Sequence, residues 1–141
     1  MGLFFSDPLH EDFAATLALG QISHGGGEPG EIIATCALIT DGDDSSWCEN
    51  WCATADGVVA TAEASATAGR PVSAREAYLR AAVYYGLAFH PLFGSPVDPR
   101  LTEAFGKQRS AFERGIALLD RPPEPLAVPR SEERRVGKEC A

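Results

Sequence analysis

Apolar residues recur at helical spacing through nearly all of the first 120 positions, and capping residues cut that pattern into five segments. Asp7 with Pro8 opens the first; Leu9, Phe13 and Leu17 fall on one face, and Gly20 ends it. A glycine-rich loop follows. The second segment runs from Pro29 to Ile39 with Ile32, Ile33, Cys36 and Ile39 as its stripe, closed by the acidic turn Asp41 to Asp44. In the third, Ser46 is the N-cap and Glu49 stands three residues on, a capping box, ahead of the stripe Trp47, Trp51, Ala55, Val58, Val59, Ala62 and Ala66. Gly69 and Pro71 break it. Ser73 with Glu76 repeats the box for a fourth helix carrying Ala77, Tyr78, Ala81, Tyr85 and Ala88. After a connector bracketed by Pro91, Pro96 and Pro99, Asp98 caps a fifth helix whose face is Leu101, Ala104, Phe105, Phe112, Ile116 and Leu119. The pattern predicts an all-α fold, a small bundle around a central Ala-rich antiparallel hairpin in which small residues let two backbones approach closely.

The texture changes after Asp120. Arg121-Pro-Pro-Glu-Pro125 forces extended backbone, and Leu126-Ala-Val128 reads as the start of a strand. Three parts are expected: residues 1–120 as a helical domain, 121–129 as a Pro-rich linker into a further domain, and 130–141 as a disordered tail. The run Arg130 to Cys140 resembles, residue for residue, the translation of a common sequencing-library adapter. On that reading the gene stops near Pro129, just as a strand begins.

Twenty acids against twelve bases give a formal charge of −8, which repels nucleic-acid phosphates and anionic lipid, so nucleic acid and membrane are excluded as partners. No stretch approaches the roughly 20 apolar residues of a membrane span, and MGLFFSDPLHED lacks the features of a signal peptide. Gly2 with Ser6 matches the myristoylation pattern, too short a motif to outweigh this. A soluble cytoplasmic protein with reduced thiols is expected. Cys48 and Cys52 stand one helical turn apart, yet with His24 and Cys36 they lack the second close pair of a zinc site, so no metal and no cofactor are assigned.

Several motifs suggest chemistry and fail on context. His24-Gly25-Gly26-Gly27 spells the oxyanion-hole sequence of some esterases, but that motif follows a strand and accompanies a G-x-S-x-G elbow, which this chain lacks. A helix-terminating loop is the better account. Gly25, Gly27 and Gly30 match G-x-G-x-x-G outside any βαβ context. Asp41, Asp43 and Asp44 lack the glycine and glutamate of a calcium loop and are read as capping acids. His10, His24 and His90 show no nucleophile arrangement and are expected on the surface or in loops. No catalytic residue is assigned. If the domain covers an active site, Trp47, Trp51, Tyr84, Tyr85 and Phe89 are the first candidates for contact with a substrate, although aromatics at helical spacing are more often core.

Gly42-Asp-Asp-Ser-Ser-Trp47 with Trp51, the Ala-rich helix to Ala68-Gly69-Arg70, Ser73-Ala-Arg-Glu-Ala-Tyr78-Leu-Arg-Ala-Ala-Val-Tyr-Tyr85, and Asp98-Pro-Arg100 follow in an order with a precedent. It resembles the N-terminal helical region of α/β-hydrolases related to dihydropseudooxynicotine hydrolase, the fermentation-respiration-switch esterases, and dipeptidyl-aminopeptidase or acylaminoacyl-peptidase-like proteins. The resemblance spans Leu3 to Pro129. It implies a bacterial, cytoplasmic cap or lid segment, itself non-catalytic, packed over a C-terminal catalytic domain whose serine, acid and histidine cleave an ester, amide or activated C–C bond. The implied partners are that missing domain, its small-molecule substrate and a second copy in a homodimer. Cys48, Cys52 and Gly86 depart from the usual pattern. The competing reading is a tetratricopeptide-like interaction scaffold, suggested by the helical hairpin and opposed by the lack of a second repeat.

Overall fold

The computed structural model describes residues 2–127, and all regular structure among them is helical. In chain order come α1 (Pro8–Asp12), a π-helical turn (Phe13–Ala18), a 3-10 turn (Ile22–His24), α2 (Pro29–Cys36), α3 (Asp44–Thr67), α4 (Pro71–Phe89), a second 3-10 turn (His90–Leu92) and α5 (Pro99–Ile116). The expectations for Val128, Pro129 and the adapter-like run to Cys140 lie outside the described residues. Residues 122–127 carry no regular structure.

α3 and α4 form the antiparallel hairpin, and α4 sits between α3 and α5. The seam is built from small side chains: Ala55 and Ala62 on α3, and Ala74, Ala77, Ala81 and Ala88 on α4, all buried. The turn between the helices is short because Gly69 takes φ +71°. That lets Arg70 N–H reach Ser65 O at 2.9 Å and Gly69 N–H reach Ala66 O at 3.0 Å, so two carbonyls left over at the end of α3 are satisfied. At the open end of the hairpin the volume is filled by aromatics. Trp47 lies against Phe5, His10 and Trp51 with ring centroids 5.8, 4.8 and 5.8 Å away, and Trp51 continues to Tyr84 at 5.4 Å.

Helix starts agree with the sequence at the Asp-Pro pairs and differ where a capping box was expected. Asp7 caps α1 and Asp98 caps α5, each followed by Pro at the first helical position. α3, however, begins two residues before Ser46: Asp43 is its N-cap and accepts from Ser45 N–H at 2.9 Å and Ser46 N–H at 3.2 Å. A carboxylate offers two acceptor oxygens where a hydroxyl offers one, and the upstream acid takes the orphan amides first. Ser46 instead accepts from Thr40 N–H at 2.9 Å, tying the preceding turn to the helix. α4 likewise starts at Pro71, not at Ser73, because Pro71 already has the helical φ. Asp43→Ala is expected to lower stability by about 0.5–2 kcal/mol, as other N-cap deletions do, in urea unfolding followed by circular dichroism. If Ser46→Ala were the costlier change and Asp43→Ala silent, the cap would be misplaced.

Three faces are rotated from those expected. The wider π turn spaces the inward positions by four residues, so His10, Ala14 and Ala18 are buried, Phe13 and Leu17 are half-buried, and Leu9 is exposed. On α2, Ile32, Thr35 and Cys36 point inward while Ile33 is exposed. On α5 the contact with α4 is made by Ala104, Ala111 and Gly115, and Phe105 and Phe112 are half exposed at 53% and 50%. The reason is distance: a Cβ on Gly115 would stand 2.7 Å from Leu79 Cδ2 and 3.3 Å from Leu79 N, so α5 approaches α4 too closely for a phenylalanine to lie between them.

Candidate functional site

A concavity of about 780 Å³ opens between α4, α5 and the glycine-rich loop after the first 3-10 turn. Leu79 and Val83 of α4 and Phe105 and Phe112 of α5 form its apolar walls, and residues 24–28 close one side. The loop takes this path for a local reason. Gly25, at φ +74°, ends the 3-10 turn, and a Cβ at Gly26 would stand 3.2 Å from Val83 Cγ2, so bare backbone rests on α4. Thus His24-Gly25-Gly26-Gly27 ends a helical turn.

A polar network anchors the loop to the bundle. Tyr84 Oη donates to Glu31 Oε2 at 2.6 Å and accepts from Glu28 N–H at 2.9 Å. Glu31 also receives Arg80 at both oxygens, Nε at 2.8 Å and Nη2 at 3.1 Å. Burial pushes the Tyr84 phenol well above its ordinary pKa, and its donation to the Glu31 carboxylate adds to the shift. Tyr85, buried on the other side of α4, donates to Asp56 and is raised for the same two reasons. Lys107 reaches the same Asp56 carboxylate at 3.1 Å and lies 5.7 Å from the Tyr85 ring centroid.

The five aromatics singled out from sequence are all interior. Trp47, Trp51 and Tyr84 are fully buried and Tyr85 and Phe89 nearly so, and none of the five borders the cavity. They occupy the space that an alanine seam leaves at its edges. Among the side chains that do border it, Leu79, Val83, Phe105, Gln108 and Phe112 come from helix faces that sequence periodicity assigns to the core or leaves unremarked. The one signal in the sequence was the seven-residue spacing of Phe105 and Phe112 on α5, which sets them on one face.

The histidines separate into three roles. His10, contrary to its expected surface position, is 1% exposed. Its Nε2 donates to Asp44 Oδ1 at 3.0 Å and its Nδ1 accepts from Gly42 N–H at 3.3 Å, so a neutral ring is satisfied on both sides and ties α1 to the start of α3. His90 donates from Nδ1 to Gly86 O at 2.8 Å and closes α4. His24 pairs with the adjacent Ser23 hydroxyl at 2.8 Å at the cavity rim, and no carboxylate is among its hydrogen-bond partners in the described residues. A serine and histidine without an orienting acid lack the third member of a triad.

Cys36 and Cys48 are buried and Cys52 is half-buried, all as thiols. Burial, followed by the nearby Glu11 charge, pushes Cys36 up to about 12. Donation from Cys52 lowers the Cys48 thiol and correspondingly raises that of Cys52. Among the described residues no three His, Cys, Asp or Glu side chains converge as a metal site would require. No described helix is long and apolar enough to cross a membrane.

No known protein-family model matches the chain. Individual proteins do. The 20-hydroxy-prefusarin hydrolase of Gibberella moniliformis is 35% identical over 127 residues, 90% of this chain and 30% of that protein. A hydrolase of Aspergillus aculeatus is 35% identical over 115 residues, 82% of this chain and 26% of the relative, and an alpha/beta hydrolase of Penicillium citrinum is 33% identical over 116 residues, 82% and 27% respectively. These relatives are fungal and lend no support to a bacterial source. The chain spans about three-tenths of the length of the curated relatives it matches, and over that span it is similar to part of proteins named as hydrolases, α/β-hydrolases among them.

Proposed function

We infer that this chain is the cap segment of an α/β-hydrolase and is itself non-catalytic, the serine chemistry belonging to a domain outside it. One observation carries the reading: the chain aligns with about three-tenths of each hydrolase, and its described residues form helices only. An α/β-hydrolase places its nucleophile on a strand-to-helix elbow and therefore needs a sheet. The part aligned here supplies something else, and a helical cover is what such a fold carries besides its sheet.

On this reading residues 1–120 form the cap and 121–129 lead into the catalytic domain. The order of motifs from Gly42 to Arg100 favours the branch that includes dihydropseudooxynicotine hydrolase and the fermentation-respiration-switch esterases. The parent enzyme cleaves an ester, amide or activated C–C bond of a small molecule through an acyl-enzyme in the cytoplasm, with a homodimer as its assembly.

Two measurements test this. The purified chain is expected to leave a simple aryl ester unhydrolysed above the buffer rate; turnover that copurifies with the chain and is lost in a Ser23→Ala variant would refute a non-catalytic cap. Genomic DNA read past the codon for Pro129 is expected to continue in frame through strands to a G-x-S-x-G motif. A stop codon at that point would remove the parent enzyme and with it the reading.

A further inference from the structure

We propose that the groove between α4 and α5 is the face on which the catalytic domain of the same polypeptide docks. This rests on the cap reading and adds to it which side of the bundle is covered. In this groove two exposed phenylalanines and two half-buried aliphatic side chains line one concavity. Phe105 and Phe112, half exposed, face Leu79 and Val83 across a concavity of about 780 Å³. Beyond one end of it, Phe105 touches Phe89, which touches the exposed Phe93, at centroid distances of 6.2 and 6.0 Å. The other large exposed apolar residues, such as Leu9, Ile33 and Leu38, sit on α1, α2 and the turn after α2, away from this groove. An isolated apolar residue on a surface is ordinary; a connected apolar concavity marks a contact.

Its surroundings match a protein partner better than a charged small ligand. The charged side chains that border it are Glu28, Glu76, Arg80 and Arg109; Arg80 is held by Glu31 at 2.8 Å and Arg109 by Glu113 at 2.7 Å, so both cations already have a carboxylate. An apolar centre within a polar rim is the anatomy of a protein interface. Moreover, α5 ends at Ile116, one turn past Phe112, and the Pro-rich segment begins five residues later at Arg121. About seven-tenths of each hydrolase relative lies outside the part aligned here, which is ample chain to return and cover that face. The domain would set an apolar ridge between Phe105 and Phe112 on one side and Leu79 and Val83 on the other, with Arg109 at the edge.

Hydroxyl-radical footprinting read by peptide mass spectrometry tests this on unaltered protein. The 141-residue chain is compared with the protein encoded by the continued reading frame. Expected is oxidation of Phe105 and Phe112 in the chain, its loss in the longer protein, and unchanged oxidation of Leu38 in both. Equal oxidation of the two phenylalanines in a longer protein that hydrolyses an aryl ester would overturn the assigned face and leave the cap reading standing. Protection that appears in the chain alone as its concentration is raised would assign the groove to a second copy and also overturn it. A continued frame without a hydrolase domain would remove both the proposed occupant and the cap reading.

Discussion

Replacing Trp47 by alanine is expected to unfold the chain at ambient temperature or leave it only a small part of its stability. Trp47 is 0% exposed and sits where four parts of the chain meet: Phe5 of the N-terminal stretch, His10 of α1, Phe13 of the π turn and Trp51 of its own helix. Its Nε1 donates to Leu87 O at 2.8 Å, a directional contact that binds α3 to the end of α4 beside the Tyr85 to Asp56 hydrogen bond of the same hairpin. Truncating a buried tryptophan costs about 3–5 kcal/mol, on the scale of the whole stability of a small domain. Losing the donor also leaves a buried carbonyl with fewer partners. Trp51 is equally buried, but its Nε1 has no hydrogen-bond partner, so of the two tryptophans it is Trp47 that joins the helices directionally. Urea unfolding of Trp47→Ala, Trp47→Phe and Phe112→Ala should rank them in that order of cost, the last nearly silent because Phe112 is half exposed. Trp47→Ala no worse than Phe112→Ala would place the core elsewhere.

Alkaline pH is the second large effect expected. Cys36 is 5% exposed and its thiol is raised to about 12, and the Tyr84 phenol, 0% exposed, is raised as well. Both stay protonated in the folded chain while the unfolded chain ionises them, near about 8.5 for a thiol and about 10 for a phenol. Their contribution is therefore complete below those values and is lost as pH climbs toward the folded ones. Each such group, once in its window, removes up to about 1.4 kcal/mol per pH unit. Cys36 enters first, so by pH 10.5 a loss of roughly 2–3 kcal/mol is expected from it alone. The thermal midpoint should hold steady from pH 7 to 8.5 and then fall. Cys36→Ala, less stable at pH 7, should show a flatter decline between pH 8.5 and 10. A midpoint flat to pH 10.5, or the same slope in the variant, would disprove the assignment.

What could be read from the sequence divides along a physical line. The helical class, the number of long helices and the Ala-rich hairpin were legible because periodicity and proline-led starts are local properties: Asp7-Pro8 and Asp98-Pro99 mark the true starts of α1 and α5. Ser46 and Ser73 misled because a capping box is a pattern of spacing, whereas the cap goes to whichever acceptor reaches the free amides, here Asp43 for α3, and Pro71 had already started α4. The inward face of α1 was missed because a π turn cannot be anticipated from a period of 3.6. Of the cavity, only the seven-residue spacing of Phe105 and Phe112 was legible. Its walls come from residues 21–28, 76–83 and 105–112, and the phenylalanines that line it look like core until Gly115 is seen to bring α5 so close to Leu79.

The N-terminal stretch bears on how the molecule comes apart. Residues 3–7 lie outside any helix, yet five successive amides are gathered by two carboxylates: Leu3, Phe4 and Phe5 by Glu11, and Ser6 and Asp7 by Asp41. These hydrogen bonds hold both acids below the usual carboxylate range. The order of this stretch consequently depends on ionisation, while that of the α3 to α5 core depends on packing. Acid that protonates Glu11 and Asp41 would release the stretch as its own cooperative unit, lifting Phe5 from Trp47 while the bundle stays folded. Part of the acidic surplus thus serves as the backbone partner of a segment with no secondary structure to supply one.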